Sequence, residues 1–198
     1  MSVSAAVVAG GKSRRMGRDK GWLDLGDGRP LVRRVIDVAS QVADEVFLVA
    51  NDARYASLGL RVVPDRFPAG GVLGGIATGL GAARHERVLV VACDMPFLQA
   101  DVLRLLVERG EGYDAVVPKV GEEYEPLHAL YTKACLPHIE RALAAGKMRV
   151  ISFFGDVRVR AIDEAELRAV DPDLRSITNV NTPEELAALS LRARPAAR

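Results

Sequence analysis

Residues 7–20 read Val-Val-Ala-Gly-Gly-Lys-Ser-Arg-Arg-Met-Gly-Arg-Asp-Lys. Two adjacent glycines, Gly10 and Gly11, precede a run of basic side chains: Lys12, Arg14, Arg15, Arg18 and Lys20. Glycines let backbone N–H groups approach phosphate oxygens, and Lys and Arg supply countercharge, so this composition suits a polyphosphate. A glycine turn with a solvated basic face is the plain alternative. The loop's position, directly after the apolar run Ala5 to Ala9, favours the phosphate reading. Two familiar phosphate motifs fail on spacing. A Walker loop needs a glycine where Ala6 stands, and a dinucleotide fingerprint needs a residue between Gly10 and Gly11.

Asp94 is the second chemical candidate. It follows the apolar run Arg87–Ala92 within Cys93-Asp94-Met95-Pro96. A carboxylate at the end of a buried strand suits a hard divalent ion held over a phosphate. Helix capping is the competing role, weakened by Pro96 and Phe97 between Asp94 and the next helical pattern. Asn51 and Asp65 read singly as turn residues, and together with the basic loop they suit recognition of a base or ribose. The glycines of Gly70-Gly71-Val72-Leu73-Gly74-Gly75 permit close approach to a ligand, or simply a tight turn into a helix. Asn179 and Asn181 flank Val180 and share one face of an extended segment, where they could bind a heterocycle or complete a metal shell. An asparagine turn is the plainer reading there. His85, His128 and His138 are scattered and none is paired with a plausible nucleophile, which argues against acyl-transfer chemistry. His128 faces either a site or the core.

These residues need elements to position them. Strands are predicted at Ser4–Ala9, Glu45–Ala50, Arg61–Val63, Arg87–Ala92, Asp114–Pro118, Leu127–Tyr131 and Arg158–Ile162. Helices are predicted from Leu31 to Val42, from about Ile76 to Ala83, over Leu98–Val107 and over Thr132–Ala145. A further helix starts at Thr182-Pro183-Glu184-Glu185, a capping box with proline at the first helical position. Alternating strands and helices predict an α/β fold, a single Rossmann-like domain with a mostly parallel central sheet and helices on both faces. Ligands of such sheets bind beyond the carboxyl ends of the strands. The basic loop, Asn51, Asp65 and Asp94 all fall at such ends. Residues 1–191 are expected to form the domain and 192–198 a flexible C-terminal tail.

The chain has 198 residues and a formal net charge of +1, so no global field favours nucleic acid or an anionic membrane. Two cysteines, Cys93 and Cys135, make neither a disulfide framework nor a zinc pattern. There is no signal-peptide pattern and no apolar run long enough to span a bilayer, and a cytoplasmic location is expected.

Val8-Ala9-Gly10-Gly11-Lys12-Ser13-Arg14-Arg15-Met16-Gly17, followed by Asp19-Lys20, resembles the signature loop of nucleotidyltransferases related to the sugar-phosphate pyrophosphorylases. Three further segments resemble, more narrowly, the molybdenum cofactor guanylyltransferase (MobA) family. They are Gly71–Gly75, Cys93-Asp94-Met95-Pro96-Phe97, and Asn179-Val180-Asn181-Thr182-Pro183-Glu184-Glu185-Leu186, the last being the most specific. Val72 stands where the family has proline, and Val8 where it has leucine.

The resemblance implies transfer of GMP from GTP to molybdopterin, with pyrophosphate released. It implies nucleotide contacts from Val8, Ala9, Gly10 and Gly11, and nucleotide binding by Lys20, Asn51, Asp65 and Asp94. It further implies Mg²⁺ on Asp94, Arg15 facing the phosphates, and the pterin near Asn179 and Asn181. Arg15, Lys20 and Asp94 would then carry catalysis. GTP and molybdopterin are the expected partners, with transient contact to proteins that make or accept the cofactor. The same chemistry with CTP or a sugar phosphate, and a non-catalytic nucleotide-binding adaptor, remain as alternatives. A nicotinamide oxidoreductase is weakened by the missing fingerprint.

Overall fold

The computed structural model describes residues 2–9, 19–180, 182, 185 and 186. The first predicted strand is β1, Val3–Val8, buried along its whole length. Small and β-branched residues suit a strand covered on both faces. Next come α1 (Leu31–Ala39), β2 (Glu45–Val49), the two-residue β3 (Val62–Val63), α2 (Gly71–Ala82) and β4 (Arg87–Ala92). The second half holds α3 (Ala100–Glu108), β5 (Ala115–Val120), β6 (Glu123–Tyr124), β7 (His128–Thr132), α4 (Leu136–Ala144), β8 (Val159–Ile162) and α5 (Glu164–Arg168).

These strands form one sheet in the order β3-β2-β1-β4-β7-β5-β6, with β8 on β5. β1 pairs in parallel with β2 and β4, and β5 with β8, whereas β7 is antiparallel to both β4 and β5. The sheet is therefore mostly parallel, with β6 and β7 running against the rest. The chain winds outward from β1 through β2 to β3, then returns to place β4 on the other side of β1. That reversal opens a crevice beyond the carboxyl ends of β1 and β4.

Alternation along each strand feeds two cores. Ala5, Val7, Leu89 and Val91 pack with Val35, Ile36, Val102 and Leu106 of α1 and α3. Ala6, Val8, Val88 and Val90 pack with Leu73, Ile76 and Leu80 of α2 and with Ile139 of α4. One expectation fails at α2, which begins at Gly71 rather than near Ile76, so Gly71–Gly75 is helix and not loop. Its glycines are contact residues. A Cβ on Gly79 would lie 2.9 Å from Ala6 Cβ, and one on Gly74 would lie 2.4 Å from the Phe67 carbonyl oxygen. Close packing against β1 and the preceding loop overrides the low helix propensity of glycine. The predicted helix over Leu98–Val107 starts instead at Ala100. The one over Thr132–Ala145 opens with a 3-10 turn, Lys133–Cys135. The capping box is present in both directions: the Glu185 N–H donates to Thr182 Oγ1 (3.1 Å) and the Thr182 N–H to Glu185 Oε2 (3.3 Å).

Candidate active site

The carboxyl ends of β1, β2, β3 and β4 lie along one edge of the sheet, and the predicted site residues in the described part of the chain follow them. Val8 closes β1, and its carbonyl accepts the Cys93 N–H (3.1 Å), tying the end of β1 to the segment that carries Asp94. The Ala9 N–H donates to the Val49 carbonyl (2.9 Å). Both residues are buried, so any contact they make with a ligand is through the backbone.

Lys20 and Asp94, far apart in sequence, meet across this edge, with Lys20 Nζ donating to Asp94 Oδ2 at 2.9 Å. Their side chains are only 19% and 16% exposed. A pair this shielded from water interacts more strongly than one on the open surface. Lys20 lies in a 3-10 turn, Lys20–Trp22, capped by the Asp19 carboxylate, which accepts the Gly21 N–H (3.1 Å). The same Asp19 oxygen accepts the Tyr55 hydroxyl at 2.7 Å.

Asn51 and Asp65 are brought together and build the loop between them. Asn51 Oδ1 accepts the Asp65 N–H (2.9 Å). Asp65 Oδ1 accepts the Phe67 N–H (2.8 Å) and the Thr78 hydroxyl (2.9 Å), fastening the loop to α2. The turn-forming role read from sequence is thus present, and the Asn51 amide nitrogen and Asp65 Oδ2 make no hydrogen bond among the described residues.

The C-terminal strap reaches the same place. The Val180 N–H donates to the Asp94 carbonyl (3.0 Å), and Val180 is buried with Leu25 and Leu31. This bond sets Asn179 beside the Asp94 segment. Asn179 Oδ1 is buried and has no hydrogen-bond partner among the described residues. Gly10, Gly11, Arg15 and Asn181, like the 192–198 tail, lie outside the described residues.

Cys93 is buried, and burial with the neighbouring Asp94 charge pushes its thiol well above the usual range. It is a packing residue, as its sequence setting suggests. His128 belongs to the core: it is fully buried, both ring nitrogens are unpartnered among the described residues, and burial lowers its pKa to about 4 against the opposing pull of Asp171. Sequence reasoning missed Tyr55. Nothing in its spacing marks it, because the contact that matters is with a residue of another loop.

Among the described residues no three His, Cys, Asp or Glu side chains gather as a cation cage. The single carboxylate of Asp94 is compatible with Mg²⁺, which takes one or two carboxylates and completes its shell with phosphates and water.

Comparison with known proteins identifies the family. The sequence model of the MobA-like NTP transferase domain matches residues 5–159. A probable molybdenum cofactor guanylyltransferase of Pelotomaculum thermopropionicum is 41% identical over 194 residues, covering 98% of this chain and 94% of the relative. The molybdenum cofactor guanylyltransferase of Desulfosudis oleivorans is 41% identical over 187 residues, covering 93% of each. The crystal structure of molybdopterin-guanine dinucleotide biosynthesis protein A from Archaeoglobus fulgidus superposes with a TM-score of 0.83 at 29% identity, covering 96% of this chain and 97% of that one.

Proposed function

Because the chain belongs to the MobA-like NTP transferase family, we propose that it transfers GMP from GTP to the terminal phosphate of molybdopterin, forming the guanine dinucleotide and pyrophosphate. The observation that carries this reading is the Lys20–Asp94 contact at the carboxyl end of β4, with the strap bearing Asn179 bonded to the Asp94 carbonyl. It puts a cation, a carboxylate and an orphan acceptor around one crevice at the sheet's reversal point.

The nucleophile is a phosphate oxygen that is already anionic, so no protein base is needed. The protein's work is to orient two anions and stabilise the charge that builds on the leaving pyrophosphate. Lys20 supplies positive charge in a site largely shielded from water, and Arg15 of the basic loop adds to it. Asn51 and Asp65 contact the nucleotide through the groups their loop bonds leave over, and Val8, Ala9, Gly10 and Gly11 are assigned to the guanosine. Asn179 accepts an N–H from the pterin ring, and Asn181 is assigned to the same substrate. Asp94 would hold Mg²⁺, which supplies Lewis-acid neutralisation of phosphate oxygens. The two buried, unpaired thiols fit a reducing compartment, and we place the protein in the cytoplasm.

The test is pyrophosphate release with ATP, GTP, CTP and UTP in turn, each with Mg²⁺ and molybdopterin. GTP alone should support turnover. Asp94→Ala should abolish it while leaving the melting temperature nearly unchanged. Preference for CTP, GTP binding without turnover, or a fully active Asp94→Ala enzyme would overturn the proposal.

A further inference from the structure

We infer that Tyr55 is a positioning residue for Lys20, acting through Asp19. The inference rests on the reading of Lys20 as a phosphate-facing group. Tyr55 is fully buried in the 3-10 segment Ala53–Leu58, which follows Asn51 at the end of β2. Its hydroxyl donates to Asp19 Oδ1 at 2.7 Å, and that oxygen also accepts the Gly21 N–H that closes the Lys20–Trp22 turn. Its ring packs against Trp22, with centroids 5.3 Å apart. Arg54, next in sequence, lies 3.6 Å from Asp19 Oδ2. The turn that carries Lys20 is therefore gripped on both flanks by one loop.

Gly21 shows how closely the parts fit. A Cβ there would fall 2.4 Å from the Tyr55 hydroxyl oxygen and 3.4 Å from Cys93 Sγ. Only glycine after Lys20 lets the hydroxyl reach Asp19. Burial and the nearby acidic groups push the Tyr55 phenol far above its ordinary pKa, so it remains a donor at every physiological pH. A flexible lysine would have to lose side-chain freedom when it meets phosphate. Fixing the turn on both sides of Lys20 lowers that cost before the substrate arrives, and it directs the side chain toward Asp94.

The experiment is a double-mutant cycle on the full chain. Tyr55→Phe removes the hydroxyl and keeps the ring. It should lower kcat/KM for GTP by roughly tenfold, the value of one well-aligned hydrogen bond in the transition state. KM for molybdopterin should stay unchanged. The chain's single tryptophan, Trp22, monitors the stack: its emission should match wild type if the ring has stayed in place. In a Lys20→Ala background, Tyr55→Phe should cost nothing further, because the group it positions is gone. A purely structural tyrosine would cause the same loss in both backgrounds. Asp19→Ala should reproduce the Tyr55→Phe defect, and Asp19→Asn, which keeps an acceptor oxygen, should restore most of the activity. This pair decides the question if Tyr55→Phe moves Trp22. Additive losses, or full activity of Tyr55→Phe beside an inactive Lys20→Ala, would overturn the role of Tyr55 alone. A fully active Lys20→Ala would overturn both this role and the reading of Lys20.

Discussion

His128 shows what one buried side chain does to the pH behaviour of the whole protein. Its sequence neighbours, Leu127 and Ala129, are apolar, and its ring nitrogens have no partners among the described residues. Charging it in place is costly, hence a folded pKa of about 4 against an ordinary 6.5. Between those values the unfolded chain binds the proton and the folded one does not. Its contribution to stability is therefore complete above about pH 6.5 and is lost as pH falls toward 4, amounting to at most about 3 kcal/mol. His128→Leu should leave denaturant stability at pH 7.5 unchanged or slightly raised, since it removes two unsatisfied nitrogens. It should also flatten the acid limb of the stability curve over that window. An acid limb unchanged from wild type would show that other groups set it. The sequence left His128 open between site and core, because alternation predicts a face but not what covers it. Lys20 and Asp94 were legible singly, from the signature loop and from a carboxylate ending an apolar strand. Their 2.9 Å contact was not, since it depends on two loops converging in space.

At the scale of elements, α2 departs most from expectation. Its glycine-rich start reads as loop by propensity, yet the helix begins at Gly71 because its glycines lie against β1 and the Phe67 carbonyl. Local preference gave way to tertiary contact, and no pattern within the segment announces that. On an exposed helix, Gly→Ala would stabilise by about 1 kcal/mol. Gly74→Ala should instead destabilise by about 1–3 kcal/mol, because the new Cβ meets backbone that can yield only if the loop moves. That loop is the one fixed by Asn51, Asp65 and Thr78, so KM for GTP should rise alongside the fall in melting temperature. Chemical denaturation and steady-state kinetics on the same variant check both. The strands were easier to read. Short apolar runs rich in Val and Ala ended where predicted to within a residue or so at β1, β2, β4 and β7. The two-residue β6 and the short α5 are too brief for any periodicity to show.

For the molecule as a whole, the decisive architecture is a sheet whose reversal point is closed by a strap from the far end of the chain. The strap is anchored by Asp171, which is 2% exposed. Its carboxylate accepts Gln99 Nε2 at 2.9 Å and the Ser176 N–H at 2.7 Å. Burial opposes the charge, but these bonds outweigh it and hold the carboxyl below its usual pKa. Asp171→Ala strands buried donors and should cost about 1–3 kcal/mol. Limited proteolysis should then cut faster within residues 171–180, and KM for molybdopterin should rise more than KM for GTP. The α/β class and the site's edge of the sheet were legible from the alternation of elements. The strap was legible only as a motif, because its anchor joins residues distant in sequence. The bond from Val180 to the Asp94 carbonyl also has a consequence in time. A growing polypeptide exposes β1 and β4 early, whereas Val180 follows on the order of 5–15 s later at cellular elongation rates. Throughout that interval the candidate site lacks the segment that Val180 ties to Asp94. Under the proposed function, the site is complete only once this strap has been made.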